Sequence, residues 1–445
     1  MNAAKSKNEM KRGMFMKKSI SALFLALIMM FSCLSFTAFM ENGEDDNGLN
    51  CKNAIVINTN TGRTVFEKNA DEPVSIASLT KIMTALVVIE NCENLDALVE
   101  TKLSSLLAIG NTGLVTINLV SGEKMSVRDM LYCLLIHSAA DASVVLADYI
   151  GGSIENFVEM MNKKAQELSM TNTHFVNTHG LDAEGHYSSA RDMAVLTMYA
   201  LKNEIFSDIV SRSTYTTEPT NMNPSRTVTT TNYLLMYNSG FYYEKADGVK
   251  TGYTEDAGRC LIASATDEKT QYVCVVLGCD AYNDNGTMAC KHFSDSISLF
   301  ENAFNSYSLK KAAKKGSEVV KVPVKCFGID AEAQGVYKNN FTYLLAKGEK
   351  VETKINLDSE LIKKPVKAGD KLGTCDIILD GNTLKTVDIV AKEDVSRDTT
   401  KIAITVLIWA LVILLAAAAV VAIIFFIGRK PKGKGGQMKR NVKYK

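Results

Sequence analysis

The feature that most restricts the fold of this chain is an uncharged run of 26 residues near the C-terminus, from Ile402 to Ile427. At about 1.5 Å per residue, a helix of that length spans roughly 39 Å, which is enough to cross a lipid bilayer. A helix satisfies all the backbone polar groups of a single segment in lipid. Eight basic residues and no acidic residue follow between 428 and 445. The positive-inside rule therefore predicts a cytoplasmic tail at 428–445, a transmembrane helix at 402–427 and an extracytoplasmic body before it.

A second uncharged run, from Ser19 to Met40, follows six basic residues near the N-terminus. A basic region followed by an apolar stretch is typical of a secretory signal. The candidate cleavage site, Ser35-Phe36-Thr37 before Ala38, matches the small-x-small pattern only loosely. Residues 1–40 are therefore predicted to be either a cleaved signal peptide or a retained N-terminal anchor.

The charge of the chain is unevenly distributed along its length. Between residues 41 and 400 there are 35 basic and 48 acidic residues, although the whole chain carries a formal net charge of +1. An acidic exported body argues against nucleic acid as a partner. The predicted contact with the membrane is the C-terminal helix.

The chain has ten cysteines, and none of them forms a Cys-x-x-Cys pair. Export would normally favour disulfides, but Cys133 and Cys274 lie within apolar runs where small core residues are expected. We therefore predict mostly buried free thiols. The histidines lack ligand-like neighbours, and His137, beside a serine, is predicted to be structural because adjacent helical residues point apart. No metal and no cofactor is expected.

Three short motifs occur in order along the exported body. Ser78 and Lys81 are three residues apart in a helical pattern, so they share one helix face and the amine can reach the hydroxyl. A serine beside such a base is the minimum requirement for nucleophilic catalysis. A second polar motif contains Ser138, and a third, Lys250-Thr251-Gly252, lies in a strand-like run. The combination predicts a serine acyl-transfer site.

Residues 45–308 are predicted to form one α/β (α+β) domain. Strand patterns occur at both ends and helical patterns between them, which predicts an antiparallel sheet built from the two ends of the domain, with a helical lobe beside it. The predicted elements are a hairpin at 54–66, helices at 78–91, 127–150, 154–168 and 290–307, and strands at 258–265 and 271–278.

Residues 316–395 differ from this pattern. Short strand patterns alternate with turns, and no cluster of residues suits chemistry. This segment is predicted to be a small all-β domain that acts as a spacer, followed by a short polar link to the membrane helix.

Longer blocks around the three motifs resemble the serine-type D-alanyl-D-alanine carboxypeptidases, the low-molecular-mass penicillin-binding protein family. The similarity covers about residues 50–395 and includes the segments 76–84, 173–175, 179–181, 187–193, 231–235 and 247–254. It implies a transpeptidase/β-lactamase-like domain followed by the family's β-rich domain.

The resemblance implies a role for each motif residue. Ser78 would be the nucleophile that attacks the bond between the last two D-alanines of a peptidoglycan stem peptide, and Lys81 would be its general base. Ser138 would relay a proton to the leaving amine. The implied substrate-binding residues are Lys250, Thr251, Gly252 and Tyr253. Lys250 and Thr251 would bind the terminal carboxylate, and the backbone N–H groups of Ser78 and Tyr253 would form the oxyanion hole. β-Lactams would act as inhibitors.

One position departs from the family's Ser-x-Asn motif, because Ala140 stands where the asparagine is expected. The lost amide is consistent with a slow enzyme, unless Asp141 leans into the site in its place. An alternative is a non-catalytic homologue that binds the cell wall as a scaffold. A β-lactamase is a third reading, but no Glu-x-x-Leu-Asn-type segment is visible. The family's basic group for the terminal carboxylate is also not evident, and Lys291 is the one lysine near the expected place.

Overall fold

The computed structural model describes residues 48–110, 112–326, 329–396 and 399–428. The predicted leader at 1–40 and the basic tail beyond Gly428 lie outside these residues.

The described chain up to Ser306 contains nine strands and eight α-helices. The strands are β1 (Asn53–Asn58), β2 (Thr64–Lys68), β3 (Leu98–Glu100), β4 (Lys124–Ser126), β5 (Thr214–Thr216), β6 (Thr227–Thr229), β7 (Ala246–Thr254), β8 (Gly258–Asp267) and β9 (Thr270–Cys279). The helices are α1 (Lys81–Asn91), α2 (Leu103–Leu107), α3 (Val127–Ile136), α4 (Ala140–Gly151), α5 (Ile154–Glu167), α6 (Ala190–Ala200), α7 (Glu204–Val210) and α8 (Lys291–Ser306).

Five of these strands form the main sheet, in the order β2-β1-β9-β8-β7. All neighbouring strands are antiparallel. The N-terminal hairpin thus joins strands from the far end of the domain, with Asn53 opposite Leu277. This confirms the predicted antiparallel sheet. β7, which carries the Lys-Thr-Gly motif, is an edge strand and leaves one side open for a ligand.

The predicted continuous helix at 127–150 is wrong, because the chain breaks between α3 and α4. Ser138 lies in the break with a φ of +69°, a left-handed conformation that no α-helix contains. The Ala140 N–H, at the start of α4, donates to the Val115 carbonyl oxygen at 2.8 Å. This distant contact and the turn at Ser138 interrupt an apolar pattern that the sequence alone shows as unbroken.

The helical lobe surrounds a buried centre formed by α1 and α3. Every residue of α3 except Arg128 is buried, and α1 is buried from Lys81 to Ile89. Each large apolar side chain that is fully buried contributes roughly 1.5–3 kcal/mol. The nucleophile turn at Ala77–Thr80, a short 3-10 helix leading into α1, therefore stands on a rigid support.

The region after Ser306 is built from strands. They are β10 (Tyr307–Ala313), β11 (Glu318–Cys326), β12 (Ile329–Tyr337), β13 (Phe341–Ala346), β14 (Glu352–Leu357), β15 (Lys371–Leu379) and β16 (Asn382–Ala391). One sheet has the order β11-β12-β16-β15-β14, and β10 pairs with β13. Arg63 of the first region forms a bidentate ion pair with Glu349, with N–O distances of 2.6 and 2.8 Å. The all-β character predicted for this region is confirmed.

A final helix, α9, runs from Thr399 to Gly428. Within the described residues it is the one helix long and apolar enough to cross a membrane, and none of its span from Ile402 to Ile427 is buried. A long apolar helix whose span is exposed is consistent with an anchor in lipid.

Candidate active site

The predicted nucleophile and base are in contact. Lys81 Nζ donates to Ser78 Oγ at 2.8 Å. The same amine donates to the His179 carbonyl oxygen at 2.7 Å, so its position is fixed from two sides. The turn from Ala77 to Thr80 presents the hydroxyl, and the first residue of α1 supplies the amine. The pair has the geometry that proton transfer from a serine hydroxyl requires.

The surroundings of Lys81 favour its neutral form. The side chain is almost completely buried, with 1% of the residue exposed. Burial lowers the pKa of Lys81 well below its usual value, the positive charge of Lys250 lowers it further, and Asp141 opposes the shift. A neutral amine can accept the proton of Ser78, whereas an ammonium group cannot.

The strand β7 passes directly beside the nucleophile. A β-carbon at Gly252 would lie 3.1 Å from the Ser78 nitrogen, so any larger residue would push the strand away. Lys250 is buried on this strand, and Nζ donates to the Thr251 carbonyl oxygen at 3.0 Å. Burial lowers the pKa of Lys250 to about 7. The site therefore holds two buried lysines whose pKa values are both lowered.

The turn that carries Ser138 is tied to the same strand. Thr231 donates its N–H to the Ile136 carbonyl oxygen at 3.3 Å, and its hydroxyl lies 2.5 Å from that of Thr251. Thr231 thus links the end of α3 to the Lys-Thr-Gly motif. Ser138 is 8% exposed, and its hydroxyl has no hydrogen-bond partner among the described side chains and backbone groups. It is available to a ligand.

The loop from Asn177 to Gly180, for which the sequence predicted no role, holds Lys81 in position. Asn177 Oδ1 accepts the N–H groups of His179 and Gly180 at 3.2 and 2.7 Å, which turns the His179 carbonyl toward Lys81. Gly180 has a φ of +85°, and a β-carbon there would lie 1.9 Å from the Ala77 carbonyl oxygen. The sequence signal was the His-Gly-Leu block, which matched the family but did not indicate this contact.

Asp141 does not take the place of the asparagine that the family has at position 140. The Asp141 carboxylate accepts the N–H groups of Ile117, Leu119 and Ala142 at 3.0–3.1 Å. Burial raises the pKa of Asp141, and these backbone donors lower it. The side chain therefore holds the 117–119 segment and does not lean into the site. Ala140 itself is fully buried.

The buried histidines near the site have structural partners. His186 Nδ1 accepts the Val176 N–H at 3.1 Å, and its Nε2 lies 2.8 Å from the Thr80 hydroxyl. Burial lowers the pKa of His186 to about 4, so it is neutral. Burial also lowers the pKa of His179 to about 4. In both rings Nδ1 accepts a backbone N–H, from Val176 in His186 and from Leu181 in His179, so the proton of each neutral ring is on Nε2.

The positive charge beside Tyr253 comes from Arg259, which none of the sequence motifs contains. Lys291 pairs with Asp280 at 3.4 Å. Arg259 lies opposite Tyr253 in the strand pair, with its guanidinium carbon 4.5 Å from the centre of the tyrosine ring. No carboxylate within the described part of the chain pairs with Arg259. The sequence alone does not show that Arg259 faces Tyr253, because this depends on the register in which β7 pairs with β8.

The fold and the contacts define a class of protein. A serine activated by a buried lysine, beside an edge strand of an antiparallel sheet and under a helical lobe, is a serine acyl-transfer enzyme with a lysine base. The arrangement needs no third catalytic side chain to bring nucleophile and base together.

Comparisons with known proteins give the family. A D-alanyl-D-alanine carboxypeptidase model (peptidase S11) matches residues 40–281, and a model of the penicillin-binding protein 5 C-terminal domain matches 307–397. The carboxypeptidase DacF of Bacillus subtilis is 33% identical over 86% of this chain and 95% of its own. DacA of Escherichia coli is 30% identical over 78% and 84%.

Solved structures agree with the sequence matches. The crystal structure of a peptidoglycan synthesis regulatory factor, PBP3 of Streptococcus pneumoniae, superposes with a TM-score of 0.61 and 25% identity, covering 78% of this chain and all of the other. The chain belongs to the D-alanyl-D-alanine carboxypeptidase family and is a serine D-Ala-D-Ala carboxypeptidase of the penicillin-binding type. The scaffold alternative is not favoured.

Proposed function

We propose that Ser78, Lys81 and Ser138 together remove the terminal D-alanine from peptidoglycan stem pentapeptides. The observation that carries the proposal is the 2.8 Å contact between Ser78 Oγ and Lys81 Nζ, with the amine buried and its pKa lowered. In the acylation step, neutral Lys81 takes the hydroxyl proton as Ser78 Oγ bonds to the peptide carbonyl carbon. The tetrahedral oxyanion then receives hydrogen bonds from the backbone N–H groups of Ser78 and Tyr253.

The leaving amine requires a proton as the peptide bond breaks. We assign its delivery to Ser138, whose hydroxyl has no other partner in the described chain and whose turn is tied to β7 through Thr231. Ser138 is reprotonated by the Lys81 ammonium group, so Lys81 is neutral again when the D-alanine leaves as a neutral amine. Water then attacks the ester of Ser78, Lys81 accepts a proton from that water and returns it to Ser78 Oγ as the ester bond breaks, and the shortened peptide is released.

The carboxylate of the terminal D-alanine is assigned to β7. Lys250 supplies a positive charge when protonated, and the Thr251 hydroxyl supplies a hydrogen bond. Gly252 allows the strand to approach Ser78, which supports binding of an extended peptide along this edge. Arg259 adds positive charge on the Tyr253 side of the site. β-Lactams present a reactive amide and a carboxylate to the same groups and form a stable ester with Ser78.

The remaining segments receive roles that fit this reaction. We assign residues 1–40 to a signal peptide or N-terminal anchor, 45–308 to the catalytic domain, 316–395 to a β-rich spacer and 402–427 to the transmembrane helix. The tail at 428–445 is assigned to the cytoplasm and the catalytic domain to the outer side of the membrane. The apolar, unburied span of α9 and the basic residues after it support this topology.

The deciding experiment is Ser78→Ala in the full chain, with a fluorescent penicillin and a pentapeptide as probes. The variant should lose penicillin labelling and D-alanine release, because Ser78 forms the bond with both. Ser296→Ala is a matched control: this serine is also buried, but it lies on α8 and donates to the His292 carbonyl oxygen at 2.8 Å. Labelling that survives in Ser78→Ala, with unchanged folding by circular dichroism, would remove Ser78 from the mechanism.

A further inference from the structure

We propose that Cys51 and Cys279 are a disulfide-forming pair that ties the first strand of the catalytic domain to β9. The inference concerns a site away from Ser78 and does not depend on the proposed reaction. Both cysteines are buried, each with 1% of the residue exposed.

The strand pairing brings the two cysteines together. β1 and β9 are antiparallel neighbours with Asn53 opposite Leu277. Cys51 lies just before β1, and Cys279 is the last residue of β9, so both stand at the same end of this strand pair. The two sulfur atoms and a carboxylate oxygen of Asp295 all lie within 4.8 Å of one another. The β1–β9 register, continued by two residues, places Cys51 opposite Cys279, and a disulfide requires their sulfur atoms to approach to about 2.05 Å.

The neighbouring carboxylate holds the backbone of the pair in place. Asp295 Oδ2 accepts the Cys51 N–H at 2.9 Å, and it lies 3.9 Å from the Cys279 sulfur. The first contact involves the backbone, so oxidation leaves it intact. The second is a weak S–H donation that oxidation would remove. The pair can therefore be oxidised without disturbing how α8 is attached to β1.

A bound metal ion is the competing occupant of this site. Thiols and a carboxylate are suitable ligands for zinc, but a structural zinc site has four ligands. In the described part of the chain this group has three members, and all of them are buried. Burial of the group also opposes a water molecule as the fourth ligand. Two adjacent thiols in a closed site favour a disulfide over an ion.

The chemistry of the pair places its oxidation during folding. The thiolate is the attacking form in thiol–disulfide exchange. Contact with the Cys51 thiol and burial raise the pKa of Cys279, so the folded, reduced protein contains almost no thiolate at this position. Before the sheet closes, both thiols are exposed to solvent and ordinary in reactivity. Oxidation is therefore expected to be fast in the folding chain and slow in the folded one.

The reaction is a two-electron exchange with a small-molecule disulfide such as oxidised glutathione. The first cysteine thiolate attacks the glutathione disulfide, which forms a mixed disulfide and releases one glutathione thiolate. The second cysteine thiolate displaces the other glutathione. The two protein thiols lose two protons and two electrons, and the glutathione disulfide leaves as two thiols.

The bond would enclose the chain segment that carries the nucleophile turn, the helical lobe and the Lys-Thr-Gly strand. A disulfide that closes a long loop stabilises a protein chiefly by restricting its unfolded state. We expect a higher unfolding temperature for the oxidised protein, by roughly 5 °C or more.

The test refolds the full chain in detergent from its reduced, denatured state, with either a glutathione redox buffer or a reductant alone. The protein is then quenched in acid and denatured, its free thiols are alkylated in the unfolded chain, and the digest is analysed by mass spectrometry. After oxidative refolding we expect a linked peptide pair containing Cys51 and Cys279, two hydrogens lighter than the two reduced peptides. Cys133 and Cys375 are internal controls and should be alkylated, because both are buried without a cysteine beside them in the described chain. Adding the same redox buffer to folded, reduced protein should give the bond far more slowly.

Two variants test the gain in stability. Cys51→Ser and Cys279→Ser should each abolish the difference in unfolding temperature between the two refolding conditions, whereas Cys133→Ser should retain it. Thiol mapping of the unmodified chain gives the answer even if a variant folds poorly. Alkylation of both Cys51 and Cys279 after oxidative refolding would overturn the proposal. One zinc ion per chain that is lost in Cys51→Ser would overturn it as well and assign a metal site instead.

Discussion

Two buried lysines lie in one site, and the proposed reaction requires them in opposite protonation states. In that proposal Lys81 accepts a proton and must be neutral, while Lys250 binds a carboxylate and must be charged. Burial lowers the pKa of both. Each positive charge also disfavours the other, so deprotonation of Lys81 helps Lys250 to keep its proton. At the residue scale, Lys81 is assigned as the base because it is the lysine that contacts Ser78, and Lys250 is left to bind the carboxylate.

The first prediction from this pairing is a bell-shaped dependence of kcat/KM on pH. Activity should rise with pH as Lys81 loses its proton, and it should fall above about pH 7 as Lys250 in the free enzyme becomes neutral. The measurement is pentapeptide hydrolysis from pH 5 to 10. Lys250→Arg keeps its charge throughout this range, so its alkaline fall should disappear. A wild-type profile that stays flat between pH 6 and 10 would contradict the assignment of Lys250.

A second residue-scale prediction concerns the missing asparagine. Ala140→Asn should raise kcat about tenfold, or about 1.4 kcal/mol, because it restores one donor to the substrate carbonyl. Asp141→Ala should instead lower stability and activity together, since its carboxylate holds the backbone of Ile117 and Leu119. Comparing kcat with the unfolding temperature in both variants separates the two effects. No gain in kcat from Ala140→Asn would contradict the idea that a hydrogen bond to the substrate is missing at this position.

At the scale of elements, local pattern predicted α1, α5, α8 and the strands β1, β2, β8 and β9, and it missed α2, α6, α7 and the short strands β3–β6. The helix at Ile154–Glu167 and the strand pair β8–β9 follow their apolar patterns closely. The break at Ser138 does not, because it depends on a hydrogen bond from Ala140 to the distant Val115. The motif positions of Ser78 and Lys81 were visible in sequence, since both lie on one helical turn. The His179 carbonyl that positions Lys81 was not, because it comes from a loop nearly a hundred residues away.

That supporting loop gives a prediction at the element scale. Gly180→Ala should lower kcat about a hundredfold, because the new methyl group would displace the Ala77 carbonyl and shift the adjacent nucleophile. Gly185→Ala is the matched control: its φ of +82° is similar to the +85° of Gly180, but its nearest contact would be an ordinary 3.7 Å. Both variants should lose about 1–2 kcal/mol from backbone strain. Equal activities in the two variants would show that the loop does not position Ser78.

At the scale of the whole molecule, composition and hydrophobic runs predicted the order of the segments, but they did not predict the contacts between them. The all-β region and the sheet drawn from both ends of the catalytic domain were evident from pattern, and so was the long apolar helix after them. The ion pair between Arg63 and Glu349 and the meeting of Cys51 with Cys279 were not. These residues are more than two hundred positions apart, and a single sequence contains no local signal for such pairs. The pairing of β1 with β9 brings the two cysteines together, and the Arg63–Glu349 ion pair connects two different sheets.

The last prediction tests how the molecule is attached to the membrane. A chain truncated after Thr400 should be soluble, should keep its carboxypeptidase activity and should be found outside the cytoplasm. The reason is that the apolar span of α9 is unburied, whereas the site around Ser78 is built from other elements. Deleting only residues 429–445 is the control, and that protein should remain in the membrane fraction because the helix is intact. N-terminal sequencing of the truncated protein will show whether residues 1–40 have been removed. If the truncated chain sediments with membranes and still begins at Met1, the leader is a second anchor and α9 is not needed for attachment.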